Sequence, residues 1–314
     1  MQVFNLTLSQ MLMMFSLMII GFLLRKLSIL PVDADRVMSR LETYVFSPAL
    51  VFSTQLVNCT VDNFKKFSVY MIYSLAIGII AVLISYPLAR LFVNKKREGE
   101  ALLNIYKYAI TFGNFGFLGN FLVLGVWGSE MLFKYTMFTF PLSVLCYSWG
   151  LAMLIPAKAR GFAGRLKSLL NPPLIALVLG IISGLLGLKK YLPEFFLTMT
   201  ENAGDCMGPV AMILAGFVVG GFEIKSILFD KKVYAVTFLR LIAIPALLVL
   251  ILKALGTPEE LTLLAFIAYA CPLGLNTVVY PAAFGLDTKP GASMALVSHT
   301  LCVITIPLMY LILM

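Results

Sequence analysis

The chain has 314 residues, 61% of them hydrophobic and 12% charged, with a mean hydropathy of +0.96. A soluble domain of this length carries about twice that charge and could not bury so much apolar surface, so lipid is the expected solvent and helix the expected structure. The net charge of +9 does not point to nucleic acid, because the basic residues sit in short segments between apolar runs.

The first run, 5–24, has no basic residue before it and no small-residue cleavage pattern after it, so it reads as a retained span. Runs of spanning length follow near 37–57, 67–93, 101–126, 131–155, 171–188, 195–222, 233–255, 260–286 and 290–314. The spacing predicts ten transmembrane helices. Sixteen lysines and arginines fall in one alternate set of connecting segments and six in the other, and Lys107 and Arg240 lie inside runs. The positive-inside rule then puts both termini outside, with the basic segment 156–170 in the cytoplasm.

That segment divides the chain into 1–155 and 171–314, five spans each, and an odd number makes the halves inverted in the membrane. Gly21 and Gly180, Pro48 and Pro209, and Pro87 and Pro245 recur at nearly one offset. The fourth span of each half carries helix breakers at mid-run: Gly113-Asn114-Phe115-Gly116-Phe117-Leu118-Gly119-Asn120, and Cys271-Pro272-Leu273-Gly274-Leu275-Asn276. Discontinuous helices at matching positions of inverted repeats point to a transport site, because irregular backbone at membrane depth survives only where it is buried or lines a cavity. The candidate substrate residues are Asn114, Gly116, Gly119, Asn120, Pro272, Asn276, Thr277 and Tyr280, flanked by Ser47 and Ser53.

Ionisable groups inside spans are costly. Lys107 shares a helical face with Asn104, Thr111 and Asn114, and either looks into the protein or snorkels outward. Glu201, Asn202 and Asp205 share another face and could bind a coupling cation or carry a proton, with Asp205 the buried candidate and the outer surface the alternative for Glu201. Arg240 could pair with Asp205, attract an anionic substrate or snorkel. His299 is read as a packing or hydrogen-bonding residue, with proton coupling the alternative. Glu42, near the start of the second run, is read as interfacial. Five scattered cysteines without a CxxC pair and one histidine give no metal site, and the sequence shows neither paired catalytic carboxylates nor a nucleophile motif, so no enzyme or cofactor is expected.

Three groups of residues carry a resemblance over essentially the whole chain. They are Asn171-Pro172-Pro173-Leu174-Ile175-Ala176 with Gly180 and Gly184; the span-four motif Gly113-Asn114-x-Gly116-Phe117-x-Gly119; and Ala270-Cys271-Pro272 with Asn276 and Tyr280. Together with His299-Thr300 and Ile306-Pro307-Leu308 they resemble the auxin efflux carrier family, in its short or bacterial form. The resemblance implies ten helices with the fourth and ninth broken and crossing, a fold related to that of the bile acid:sodium symporters, and elevator-type alternating access. It implies secondary transport of small organic anions, malonate-like, malate-like or auxin-like, across the cell membrane. A sodium- or proton-coupled carrier of a larger amphipathic anion and an anion channel are the alternatives. The implied partners are the substrate and the bilayer, with a homodimer compatible and no nucleic acid.

Overall fold

The computed structural model describes residues 2–155, 171–222, 230–274, 276–283 and 286–314, apart from the side chains of Gln2, Val279, Tyr280, Ala282 and Ala283. The expected basic segment 156–170 lies outside the described residues. The architecture is helical throughout, and the one β-type bridge among the described residues joins Gly113 to Leu273.

The helices of eight residues or more among the described residues are α1 (Gln2–Lys26), α2 (Ala34–Leu41), α3 (Ser47–Asn58), α4 (Val61–Phe92), α5 (Glu100–Thr111), α6 (Asn120–Leu145), α7 (Pro172–Leu185), α8 (Glu194–Asp205), α9 (Met207–Gly220), α10 (Lys231–Phe238), α11 (Ile244–Ala254), α12 (Glu259–Ala270), α13 (Asn276–Ala283) and α14 (Lys289–Leu313). Two wide π-helical turns, Glu42–Phe46 and Leu239–Ala243, stand just before Pro48 and Pro245. A proline lacks the N–H that a regular turn needs and its ring crowds the carbonyl four residues back, and the widened turn relieves both. The α4 N-terminus is capped by Thr60, whose hydroxyl accepts from the Asn63 N–H at 3.2 Å.

Among the described residues, six helical segments are long and apolar enough to cross a membrane: Val3–Lys26, Val61–Phe92, Phe115–Leu154, Glu194–Gly220, Lys231–Ala254 and Lys289–Leu313. Many of their outward side chains are apolar, Ile72, Leu83, Ile251 and Ile304 among them, as expected for surfaces that meet lipid, while Glu201, Asn202 and Asp205 are exposed on Glu194–Gly220. At 40 residues, Phe115–Leu154 would run roughly 60 Å if straight. Gly128, at φ 78°, turns the chain within it. That left-handed backbone strongly favours glycine. The shorter helices α5, α7, α12 and α13 fall below spanning length individually.

Two sets of helix pairs stand out in the packing, joined to each other by contacts of α1 with α14 and of α3 with α6. In one, α1 lies along α9, and α7 and α8 lie along α3. Gly21 and Gly216 make the first pairing possible: a Cβ on either would stand 2.0 Å or 1.9 Å from a backbone oxygen of the facing helix, Ile213 and Met18 respectively. In the other group α4 packs on α5 and α6, α11 on α12, and α10 on α14. The most deeply buried part of the chain is α5, α12 and the middle of α6, a core of Tyr106, Phe112, Phe133, Phe138, Phe266 and Tyr269. Of the candidate residues, Asn114 and Asn120 stand at the α5–α6 junction in this second group, whereas Ser47 and Ser53 lie on α3 of the first.

Candidate functional site

Both expected breaks are present, and they touch. Helix α5 ends at Thr111, and the chain is non-helical through Phe112–Asn114 before a π-helical turn, Phe115–Gly119, leads into α6. Helix α12 ends at Ala270, the chain is non-helical through Cys271–Gly274, and α13 starts at Asn276. The two interruptions cross at the Gly113–Leu273 bridge, where the Asn114 N–H donates to the Pro272 carbonyl at 2.7 Å. A Cβ at Gly113 would stand 2.7 Å from the Cys271 carbonyl oxygen, so glycine permits this approach.

The first break is shorter than the Gly113–Asn120 cluster suggests. Gly116 and Gly119 have helical backbone, because their cost as helix residues, about 1 kcal/mol each, is small against the surrounding packing. Gly119 serves another purpose: the Tyr135 hydroxyl passes over it to donate to the Phe115 carbonyl at 3.1 Å, and a Cβ at 119 would stand 2.2 Å from that hydroxyl.

A cavity of about 100 Å³ opens at the crossover. It is lined at the breaks by Gly113, Asn114, Phe115, Gly116, Gly274 and Asn276, and nearby by Asn120 and Ser47. At about 30 Å³ of liquid volume per water, such a site holds a few waters or one small ligand. Among its described lining residues none carries a formal charge. The asparagines are held in place from behind. Asn114 Nδ2 meets His299 Nε2 at 3.4 Å, and His299 Nδ1 meets the Ala295 carbonyl at 2.8 Å. Asn276 Nδ2 donates to the Tyr108 hydroxyl at 2.7 Å, which is 3.1 Å from Cys146 Sγ. Asn120 Oδ1 is buried and meets no donor among the described residues.

Other expected residues stand away from the cavity. Pro272 contributes its carbonyl to the crossover, and Thr277 is fully buried with its hydroxyl on the Gly274 carbonyl at 3.1 Å. Ser53 donates to the Leu50 carbonyl at 3.1 Å on α3. The Tyr280 side chain lies outside the described residues. Among the cavity residues that had not been expected are four polar ones, Thr136, Thr139 and Ser143 of α6 and Tyr147 just after it. Their spacing of three or four places them on one helical face, a polar stripe visible in the sequence.

The ionisable residues separate into three situations. Lys107 is 7% exposed, with Nζ 3.3 Å from Asn104 Oδ1 and 4.4 Å from the centre of the Tyr86 ring, so it faces protein. Arg240 is 2% exposed and does not pair with Asp205. Its guanidinium donates to the carbonyls of Ile110, Thr111, Ala268 and Cys271. Glu201 and Asp205 are exposed on α8, outside the cavity lining. Glu42 is a correction: it is fully buried rather than interfacial, because the wide turn before Pro48 directs it inward, and neither carboxyl oxygen meets a donor among the described residues.

Comparison with known proteins gives two findings. A family described as membrane transport protein matches residues 6–163 and 160–310. An uncharacterized transporter of Methanocaldococcus jannaschii is 24% identical over 306 residues, covering 93% of this chain and 94% of the relative.

Proposed function

The chain belongs to the auxin efflux carrier-type membrane transport family and is a transporter rather than an enzyme, and from that premise we propose that it carries small organic anions through the crossover cavity by alternating access. The observation that carries this reading is the polarity of the crossing helix ends. The turn that starts at Phe115 and the start of α13 bring the N-terminal ends of two helical segments to the cavity, where Phe115, Gly116 and Asn276 line it. Such ends hold unsatisfied N–H groups and partial positive charge, which favour a carboxylate. The opposing C-terminal ends present the Thr111, Ala268 and Cys271 carbonyls to Arg240. No carboxylate among the described lining residues would repel an anion. Asn114 and Asn276 add amide donors, and Asn120 Oδ1 would meet a ligand hydroxyl or N–H. The size of the cavity suits malonate- or malate-like acids better than a bulky amphipathic anion.

Ten spans in two inverted five-helix repeats fit this reading. Gly21 and Gly180 are 159 residues apart, and Ile213 and Phe52 are 161 apart. Gly21 packs against Ile213, and Gly180 against Phe52, so α1 on α9 and α7 on α3 make the same contact twice. The bend at Gly128 supports dividing Phe115–Leu154 between a fourth and a fifth span, with α5 as the first part of the fourth. The α1–α9 and α3–α7–α8 pairings would form the fixed panel of an elevator, and the crossover group its moving part. Both termini would lie outside a cell membrane. Exposed Glu201, Asn202 and Asp205 on α8 fit a face covered by a second copy better than one facing lipid, because intramembrane charge against lipid is costly.

The test is uptake by proteoliposomes of a panel of mono- and dicarboxylates, with sodium and proton gradients imposed separately. Saturable uptake of one small carboxylate class supports the reading, and uptake of no carboxylate under any gradient removes it.

A further inference from the structure

Helix C-terminal ends leave carbonyl oxygens without intrahelical partners and carry partial negative charge. Two such ends meet at the crossover. Ile110 and Thr111 close α5, and Ala268 and Cys271 stand at the end of α12. Converging carbonyls of this kind, from unwound backbone and half-helix C-terminal ends, are what a transporter uses to coordinate a small cation such as sodium. Here the position is filled by a side chain. Arg240 Nε lies 3.3 Å from the Cys271 oxygen, Nη1 lies 3.3 Å and 3.2 Å from those of Ile110 and Thr111, and Nη2 lies 3.3 Å from that of Ala268. The Tyr269 ring centre is 5.5 Å from the guanidinium carbon.

The geometry of the surroundings shows that the position is built around a guanidinium. Gly113 leaves the space for it: a Cβ there would stand 2.3 Å from Nη2. Among the described residues no carboxylate lies within ion-pair distance of Arg240, so the helix ends and the Tyr269 ring are its counterparts. The wide turn Leu239–Ala243, forced by Pro245, carries Arg240 at its second residue. One rigid, planar donor group spans two helices from opposite halves of the chain, which a flexible lysine would do less well.

We propose that Arg240 is a tethered resident cation at the crossover, so that the protein needs no exchangeable cation there and does not use sodium at this position. The guanidinium stays charged at every physiological pH and travels with the backbone it holds. It also lies behind Gly113, which lines the cavity, and so keeps a fixed positive charge beneath the anion site proposed above. The inference rests on that reading for its bearing on transport, but not for its bearing on the cation.

The experiment is therefore thermal unfolding of the purified full-length chain without substrate. The wild-type protein is measured in sodium chloride and in choline chloride at equal ionic strength, and its unfolding temperature is expected to be the same in both. Arg240→Ala is expected to unfold at least about 5 °C lower, and to recover part of the loss, saturably, in millimolar guanidinium or in sodium chloride but not in choline chloride. Arg240→Lys, which keeps a charge, is expected to lose less than Arg240→Ala. Saturable stabilisation of the wild type by sodium over choline overturns the proposal, and so does an Arg240→Ala protein as stable as wild type. The wild-type comparison decides the sodium question even if neither variant folds. Failure of carboxylate uptake in proteoliposomes would count against the anion reading alone, because the unfolding measurement contains no anion substrate.

Discussion

Asn114 and His299 meet at 3.4 Å, amide nitrogen to ring nitrogen, and join the first helix break to α14. The contact fixes both side chains. His299 Nδ1, 2.8 Å from the Ala295 carbonyl oxygen, must donate there, which leaves Nε2 as the acceptor for one Asn114 amide hydrogen. The second amide hydrogen of Asn114 remains for a ligand in the cavity. A double-mutant cycle of Asn114→Ala and His299→Ala, read by unfolding free energy, should give a coupling of about 0.5–1.5 kcal/mol, the worth of a neutral hydrogen bond. Strict additivity would separate the two residues.

Glycines divide by what faces them. A Cβ at Gly216 would stand 1.9 Å from the Met18 backbone oxygen, whereas one at Gly116 meets nothing within 4 Å. Gly216→Ala should therefore cost at least about 2 kcal/mol of stability, since a helix backbone cannot yield as a side chain does. Gly116→Ala should leave stability unchanged or raise it by up to about 1 kcal/mol through helix propensity, while weakening ligand binding because it lines the cavity. Thermal unfolding and ligand titration of both variants check this. Equal stability loss in the two would contradict the packing.

Glu42 is 0% exposed, and neither carboxyl oxygen has a donor among the described residues. A buried anion without partners costs several kcal/mol. The carboxyl is therefore held uncharged, and Glu42→Gln, an uncharged group of the same shape, should be neutral to stabilising in thermal unfolding. A loss above about 2 kcal/mol would mean that the carboxyl makes a specific bond.

Much of this site was legible in the sequence, and the rest was not for definite reasons. The breaks at Asn114 and Pro272 announced themselves because proline and clustered glycine act locally. The polar stripe Thr136, Thr139 and Ser143 was equally readable, as helical spacing in an apolar run, yet single hydroxyls there look like ordinary helix residues. Arg240 shows the opposite case. Its partners, Ile110 and Cys271, are 130 and 31 residues away, and backbone carbonyls leave no mark in a sequence. The burial of Glu42 depends on a wide turn that a downstream proline creates. The exposure of Asp205 depends on which face of α8 packs on α3, which local periodicity left open.

The proposed orientation rests on the distribution of basic residues, and single cysteines test it. With native cysteines replaced, Lys96→Cys should resist an impermeant maleimide added to intact cells, whereas Lys190→Cys should react. Reaction of position 96 from outside would invert the topology.

The central claim is that a small carboxylate binds between the two broken helices. Calorimetric titration of monodisperse protein with the best carboxylate from the uptake panel tests it most directly, comparing wild type with Asn114→Ala and Asn276→Ala. A lost charge-assisted hydrogen bond is worth about 1.5–3 kcal/mol, so each variant should bind roughly ten- to a hundredfold more weakly while remaining folded. Wild-type affinity in both variants would place the anion elsewhere and contradict the account.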